Sequence, residues 1–287
     1  MQLKRYQSAE QFLEANLCHL LRDEAMNSLL LGLAIGNKGK ENDQSLYLDI
    51  RDKERVYLAA IKTRGRHLIV SADHDKFALY ATVFCDYILE NGIRLPGLIG
   101  PKQLVLDFQE AFQRWLGWDF TIQFRQLVYR LDQVSGVTNI HGDLRLVERA
   151  ESALVSEWLH AFYREVFGVD DQEEAYRLVR DKIEKKEAYI WLDQSIVTMA
   201  CTARPTPNGV TINYVYTPTE YRRHGYASMI VAVISQLQLE KGYKFCTLFA
   251  DMDNPTSNRI YQKIGYQVVG EFRSIDFRGK KAEDTLS

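Results

Sequence analysis

Arg222, Arg223 and His224 stand directly before Gly225, and Tyr226 and Ala227 follow it. Upstream lies an apolar run, Val210 to Thr217, closed by Pro218. Downstream, Ser228 to Glu240 is apolar almost all round. The first run predicts a strand and the second a buried helix. A strand, a tight basic turn and a helix start together present backbone N–H groups to an anion. The first N–H groups of a helix lack partners and carry partial positive charge, so a diphosphate fits there. Gly225 has no Cβ and lets a ligand approach the backbone, and Ala227 is the next smallest residue. The three basic side chains add local charge. Other phosphate loops find no support, since neither GxGxxG after a strand nor GxxxxGK[ST] occurs. An ordinary strand-turn-helix with a solvated basic turn is the bland alternative for these six residues.

A second segment follows. Asn254 before Pro255 is a helix start, with Asn as cap and Pro at the first position. Gly265 marks where that helix ends. Tyr261 falls two turns after Asn254, so the two share a face. Arg222 to Ala227 resembles the R/Q-x-x-G-x-G/A signature of the GNAT acyltransferase superfamily. Asn254 to Tyr266 resembles that family's N-x-x-[SA]-x-x-x-Y-x-x-x-G-[FY] segment. The resemblance covers Asp143 to about Phe277.

The resemblance implies a mixed sheet splayed open between its fourth and fifth strands, with acetyl-CoA lying in the opening. The backbone of Val215, Tyr216 and Thr217 would pair with the pantetheine arm. Arg222 leads the loop, and the N–H groups of Arg223, His224, Gly225, Tyr226, Ala227 and Ser228 would hold the pyrophosphate. Asn254 would touch the pantetheine, and Ser257 counts among the cofactor-binding positions. Tyr261 would sit beside the sulfur and protonate the leaving thiolate; without the motif it would read as a core residue. Some relatives carry a basic Glu on the fifth strand, where this sequence has Phe249. Asp251, two residues on, faces the same side and is the candidate base, acting through a water. Asp253 would instead cap the next helix.

Elements must position these groups. In the first half the patterns predict helix, three strands, two helices and a strand, in that order. Ser8 to Gln11 opens the first helix as a capping box. Asn37 to Gln44 reads as a loop, and Pro96 to Pro101 as a chain reversal. The second half reads as strand, two helices, three strands, helix, strand, helix, strand. The expected fold is α/β with a mixed sheet, in two domains: 1–135, an α/β unit that makes its own core and shapes the acceptor pocket, and 143–287, the GNAT domain. The boundary falls at Gln133 to Gly142. If the first half is a tandem GNAT-like module, it has lost its CoA loop, for it holds no second R-x-x-G-x-A.

Length suits two domains: the chain has 287 residues, 46% of them hydrophobic, with formal net charge -2. Such a balance does not suggest a nucleic-acid partner. Cys18, Cys85, Cys201 and Cys246 are far apart and read as free thiols, without zinc spacing, so no metal is expected. No apolar run is long enough to span a bilayer, and the expectation is a reduced cytoplasmic protein, monomer or homodimer, without a membrane partner. The expected function is direct acetyl transfer from acetyl-CoA to an amine, small molecule or peptide. A non-catalytic acyl-CoA-binding module that regulates a partner is the rival.

Overall fold

The computed structural model describes residues 1–40, 44–72, 76–136 and 141–278. Parts of the expected loop at Asn37 to Gln44 and of the boundary at Gln133 to Gly142 lie outside them. The first elements are β1 (Gln2–Tyr6), α1 (Ala9–Leu20), α2 (Ser28–Gly36), β2 (Leu46–Asp52), β3 (Arg55–Lys62), β4 (Leu68–Ala72), α3 (Phe77–Glu90), β5 (Gly97–Pro101), α4 (Lys102–Leu116) and β6 (Asp119–Leu131). They are followed by β7 (Asp143–Leu146), α5 (Ser152–Phe167), α6 (Gln172–Glu184), β8 (Ala188–Asp193), β9 (Ser195–Ala203), β10 (Gly209–Tyr216), α7 (Tyr226–Glu240), β11 (Phe245–Asp251), α8 (Pro255–Ile264) and β12 (Gln267–Arg278). Both series run β-α-α-β-β-β-α-β-α-β. The second matches the expected order.

In the first series the expectation misses β1, the division between α1 and α2, and β5. β1 buries only Tyr6 fully and has a polar sequence, so it shows no alternation. β5 is Gly-Leu-Ile-Gly-Pro, whose glycines and proline imitate a reversal. They serve close packing instead. A Cβ on Gly97 would lie 2.1 Å from the carbonyl oxygen of Ile275.

Two compact units form. The first comprises Met1–Val128, Asp251–Asp253 and Val269–Ser287, and the second Tyr129–Ala250 and Asn254–Val268. This differs from a division at 135/143, because most of β12 joins the first unit. There the strand order is β1-β2-β3-β4-β5-β12. β4 and β5 are parallel, and the other neighbours antiparallel. Phe272 to Asp276 pair with Pro101 to Gly97. One face of this sheet packs Leu48, Ile50 and Leu58 with Phe84 of α3, Phe108 and Phe112 of α4, and Ile275 of β12. The other packs Tyr47, Ala59 and Ile61 against Phe12 of α1 and Leu30 and Leu31 of α2. The first core therefore takes residues from the end of the chain.

The second unit has the order β7-β8-β9-β10-β11. β10 and β11 are parallel, and the others antiparallel. Val155 and Leu159 of α5 and Ala175 and Val179 of α6 pack on Ile190, Met199 and Cys201. α7 buries Met229, Ile230, Val231 and Ile234 and packs against β9 and β10.

Candidate active site

β10 and β11 pair over three positions, Gly209 to Thr211 with Phe245 to Thr247. At the last of these the Thr211 and Thr247 hydroxyls meet at 3.1 Å. Beyond it β10 runs on to Tyr216 and β11 to Asp251. β10 carries an irregularity between Asn213 and Tyr216, with Tyr214 at φ 52°. Its end is held from β9: the Thr198 hydroxyl donates to the Tyr216 carbonyl at 2.8 Å and meets the Thr217 hydroxyl at 2.8 Å. Val215, Tyr216 and Thr217 thus stand on a braced strand end beside the opening.

The basic turn comes next. Arg222 donates from Nε to the Thr217 carbonyl at 2.9 Å and from Nη2 to both oxygens of Glu165, at 2.9 and 2.8 Å. Glu165, on α5, also accepts from the Tyr216 hydroxyl at 3.2 Å. The Arg222 charge is therefore already paired, and this side chain braces the turn. Arg223 and Gly225 have φ 69° and 85°. Left-handed residues alternating with extended or helical ones turn successive N–H groups to one side, an anion-binding concavity. Gly225 is the N-cap of α7, and no side chain caps that end. Tyr226 donates to Asp193 at 2.7 Å, and that hydrogen bond raises its phenol above the ordinary range. The His224 ring stacks on Tyr226 at 5.7 Å. Arg222 and Tyr226 thus use their side chains as braces. Arg223, His224, Gly225, Ala227 and Ser228 belong to the uncapped backbone turn itself.

α8 begins as expected: Asn254 Oδ1 accepts from the Ser257 N–H at 3.0 Å, with Pro255 following the cap. Tyr261 is half-buried. Its ring lies 6.0 Å from Tyr129 and 6.1 Å from Tyr266. Burial, with Tyr129 adding, pushes its phenol up to about 12, so it holds its proton at neutral pH. A pocket of about 220 Å³ is lined by Ser228 at the start of α7 and by Pro255, Thr256, Arg259, Ile260 and Lys263 of α8. Its two cations suit phosphate. Asp251 belongs to the first unit. It is exposed and accepts from the Asp253 N–H at 2.9 Å, a turn contact. Asp253 pairs with Arg125 at 2.7 Å and does not cap α8, which Asn254 does. The structure gathers the loop, the strand end and α8 in one unit, while Asp251 groups with the other.

In the first half, the sequence before the corresponding helix, α3, reads Asp73-His74-Asp75-Lys76. That stretch holds two carboxylates and no glycine, a composition that does not suit a diphosphate. Sequence reasoning missed Thr198 and Glu165. Their roles are brought about by long-range pairing and leave no local pattern in the sequence.

Residues 193–274 match the family model described as FR47-like protein. Both motifs lie inside that range. An acetyltransferase of the GNAT family from Colwellia psychrerythraea is similar over 98% of this chain and 100% of its own, at 11% identity and TM-score 0.59. A Drosophila protein of known structure is similar over 96% and 98%, at 12% identity and TM-score 0.67. A tandem GNAT protein from the clavulanic acid biosynthesis pathway is similar over 96% and 98%, at 11% identity and TM-score 0.53. The chain has the GNAT fold. The duplicated element order agrees with a two-module GNAT arrangement. At such identities likeness extends to the GNAT fold alone. No curated protein sequence matches the chain. Among the described residues no helix is long and apolar enough to cross a membrane.

Proposed function

We propose that this chain is an acetyl-CoA-dependent N-acetyltransferase working by direct transfer. The observation that carries this reading is the uncapped start of α7, with Gly225 in the left-handed region, beside strands that part after Thr211 and Thr247. The fit to acetyl-CoA follows from donor chemistry. Backbone N–H groups from Arg223 to Ser228 suit the diphosphate, and Arg259 and Lys263 offer further positive charge to phosphate. Val215 to Thr217 supply a strand end for the pantetheine amides.

In the reaction the acceptor amine forms a C–N bond to the thioester carbon, and the C–S bond breaks with its electron pair on sulfur. Strand N–H groups polarise the carbonyl oxygen. Tyr261 gives its proton to the sulfur, and the amine loses its surplus proton to solvent. A half-buried phenol that stays protonated supports this role. Asp251 as base has less support, given its exposure and its contact with Asp253; a water can take the proton instead. A second reading, an acyl-CoA-binding module without catalysis, is favoured by one observation: Phe249 offers no base on β11. Incubation with acetyl-CoA and a panel of amines, following thiol release, separates the two. Thiol release that depends on an amine supports transfer. Calorimetric binding of acetyl-CoA without thiol release, whatever the amine, supports the module.

A further inference from the structure

Arg204 stands at the end of β9 in a left-handed backbone conformation, φ 48°. Its guanidinium carbon lies 5.7 Å from the centroid of the Phe249 ring. Phe249 is two residues past Thr247, where the ladder to β10 ends, so it lies in the parted stretch of β11 and on the same face as Thr247. Thr247 meets Thr211 on that face, and Asn213 is two residues past Thr211. Cys201 pairs opposite Asn213, and Ala203, the neighbour of Arg204, opposite Thr211. The ring contact brings the Arg204 guanidinium to Phe249 beside the parted strands, and Asn213 lies on the strand face that carries Thr211 and Phe249.

Two polar atoms here are buried and find no hydrogen-bond partner among the described residues: Nε of Arg204, a donor, and Oδ1 of Asn213, an acceptor. No carboxylate pairs with the guanidinium among those residues either. Burial lowers the guanidinium below its ordinary value. A half-buried arginine without an anion loses hydration and gains no ion pair in return, and a buried polar atom without a partner is destabilising. One orphan reaches Phe249 and the other lies on the strand face that Phe249 shares, so a single small ligand beside Phe249 would offer each a partner.

We infer that the acceptor is an amine bearing a carboxylate, a free amino acid in the simplest case, with its carboxylate on Arg204 and its nitrogen toward Asn213 Oδ1. This rests on the acetyl-transfer reading above. The guanidinium's planar fork matches a carboxylate in two-point geometry. Phe249 forms a wall under the cation. Tyr214, with Phe162 and Tyr163 at ring distances of 5.8 and 5.9 Å, adds aromatic surface close by. Arg204 is thus a specificity-determining residue.

The test compares each of the common amino acids with its own carboxamide as acceptor, following thiol release from acetyl-CoA. Acetyl-CoA affinity is measured by calorimetry on the same preparation. At least one acid should exceed its amide in kcat/KM by about tenfold or more, the size expected when a buried charge pair is broken. In Arg204→Gln that preference should vanish through KM, while acetyl-CoA affinity holds. The variant should melt at or above the wild type, since a half-buried cation without an anion is removed; a bracing residue would behave in the opposite way. Arg204→Lys, which keeps the charge without the fork, should retain part of the preference and serves if the Gln variant fails to fold. Amides used as well as acids, neutral amines acetylated in place of amino acids, or acetyl-CoA bound with no amino acid acetylated would each overturn the inference. A preference unchanged in folded Arg204→Gln would do so too. Failure of the wild type to bind acetyl-CoA at all would remove the acetyl-transfer reading itself.

Discussion

Tyr261 keeps its proton because the tyrosines beside it and the helix that carries it withhold water from the charged form, and its phenol rises to about 12. A donor of this kind does not titrate in the working range. The rate should therefore show no descending limb from this group below about pH 11, when turnover is followed across pH. Tyr261→Phe keeps the ring and loses the proton. Turnover should fall at least about tenfold, the low side of general-acid help, with acetyl-CoA affinity and melting temperature near wild type. Unchanged turnover in a folded variant would make Tyr261 a wall residue. Gly225 makes a sharper case. Its φ of 85° is poorly tolerated by other residues, and the uncapped N–H groups beside it are the anion site. Gly225→Asp should abolish acetyl-CoA binding by calorimetry, and retained affinity would detach the diphosphate from this turn. These residues were legible in the sequence because their spacing is local. Arg204 was not, since its significance comes from Phe249 on a strand 45 residues on (249 − 204).

Elements of the second unit read well because each carries a clear period: the α7 run is apolar all round, and the α5 and α6 stripes are amphipathic. In the first unit, β5 was mistaken for a reversal. A strand can be built of glycines when another backbone must come close, and composition alone does not distinguish that use from a turn. Gly97 shows the difference. Gly97→Ala would drive a methyl into the Ile275 carbonyl and the His67 ring. It should destabilise the protein by about 1–3 kcal/mol, as overpacking does, whereas a turn glycine at ordinary φ would tolerate alanine. Chemical denaturation measures it, and a variant as stable as the wild type would refute the close approach.

At the scale of the molecule, burial sets a limit on alkaline stability. The thiols of Cys85, Cys201 and Cys246 are pushed from 9.0 up to about 12 by burial, as the Tyr261 phenol is from 10.0. Each folded value lies above the unfolded one. The neutral forms therefore contribute stability in full below about pH 9, and that contribution is lost as pH climbs toward 12. Denaturant midpoints should hold steady from pH 7 to 8.5 and fall steeply above 9. A flat profile to pH 11 would mean that these groups are hydrated.

The grouping of Val269–Ser287 with the first unit has a temporal consequence. A ribosome makes the first unit's leading strands early and its closing strand last. Until Phe272, Ile275 and Phe277 leave the exit tunnel, β5 has a bare edge and α4 lacks its packing partners Ile275 and Phe277. The nascent chain cannot finish its first core before those residues emerge, however slowly it is made. A chain stopped at residue 135 should thus remain unfolded and cling to chaperones, as limited proteolysis of such a fragment would reveal. Every molecule with a closed first core is one whose synthesis has passed Phe277, so the fold carries its own check on chains broken off before that strand.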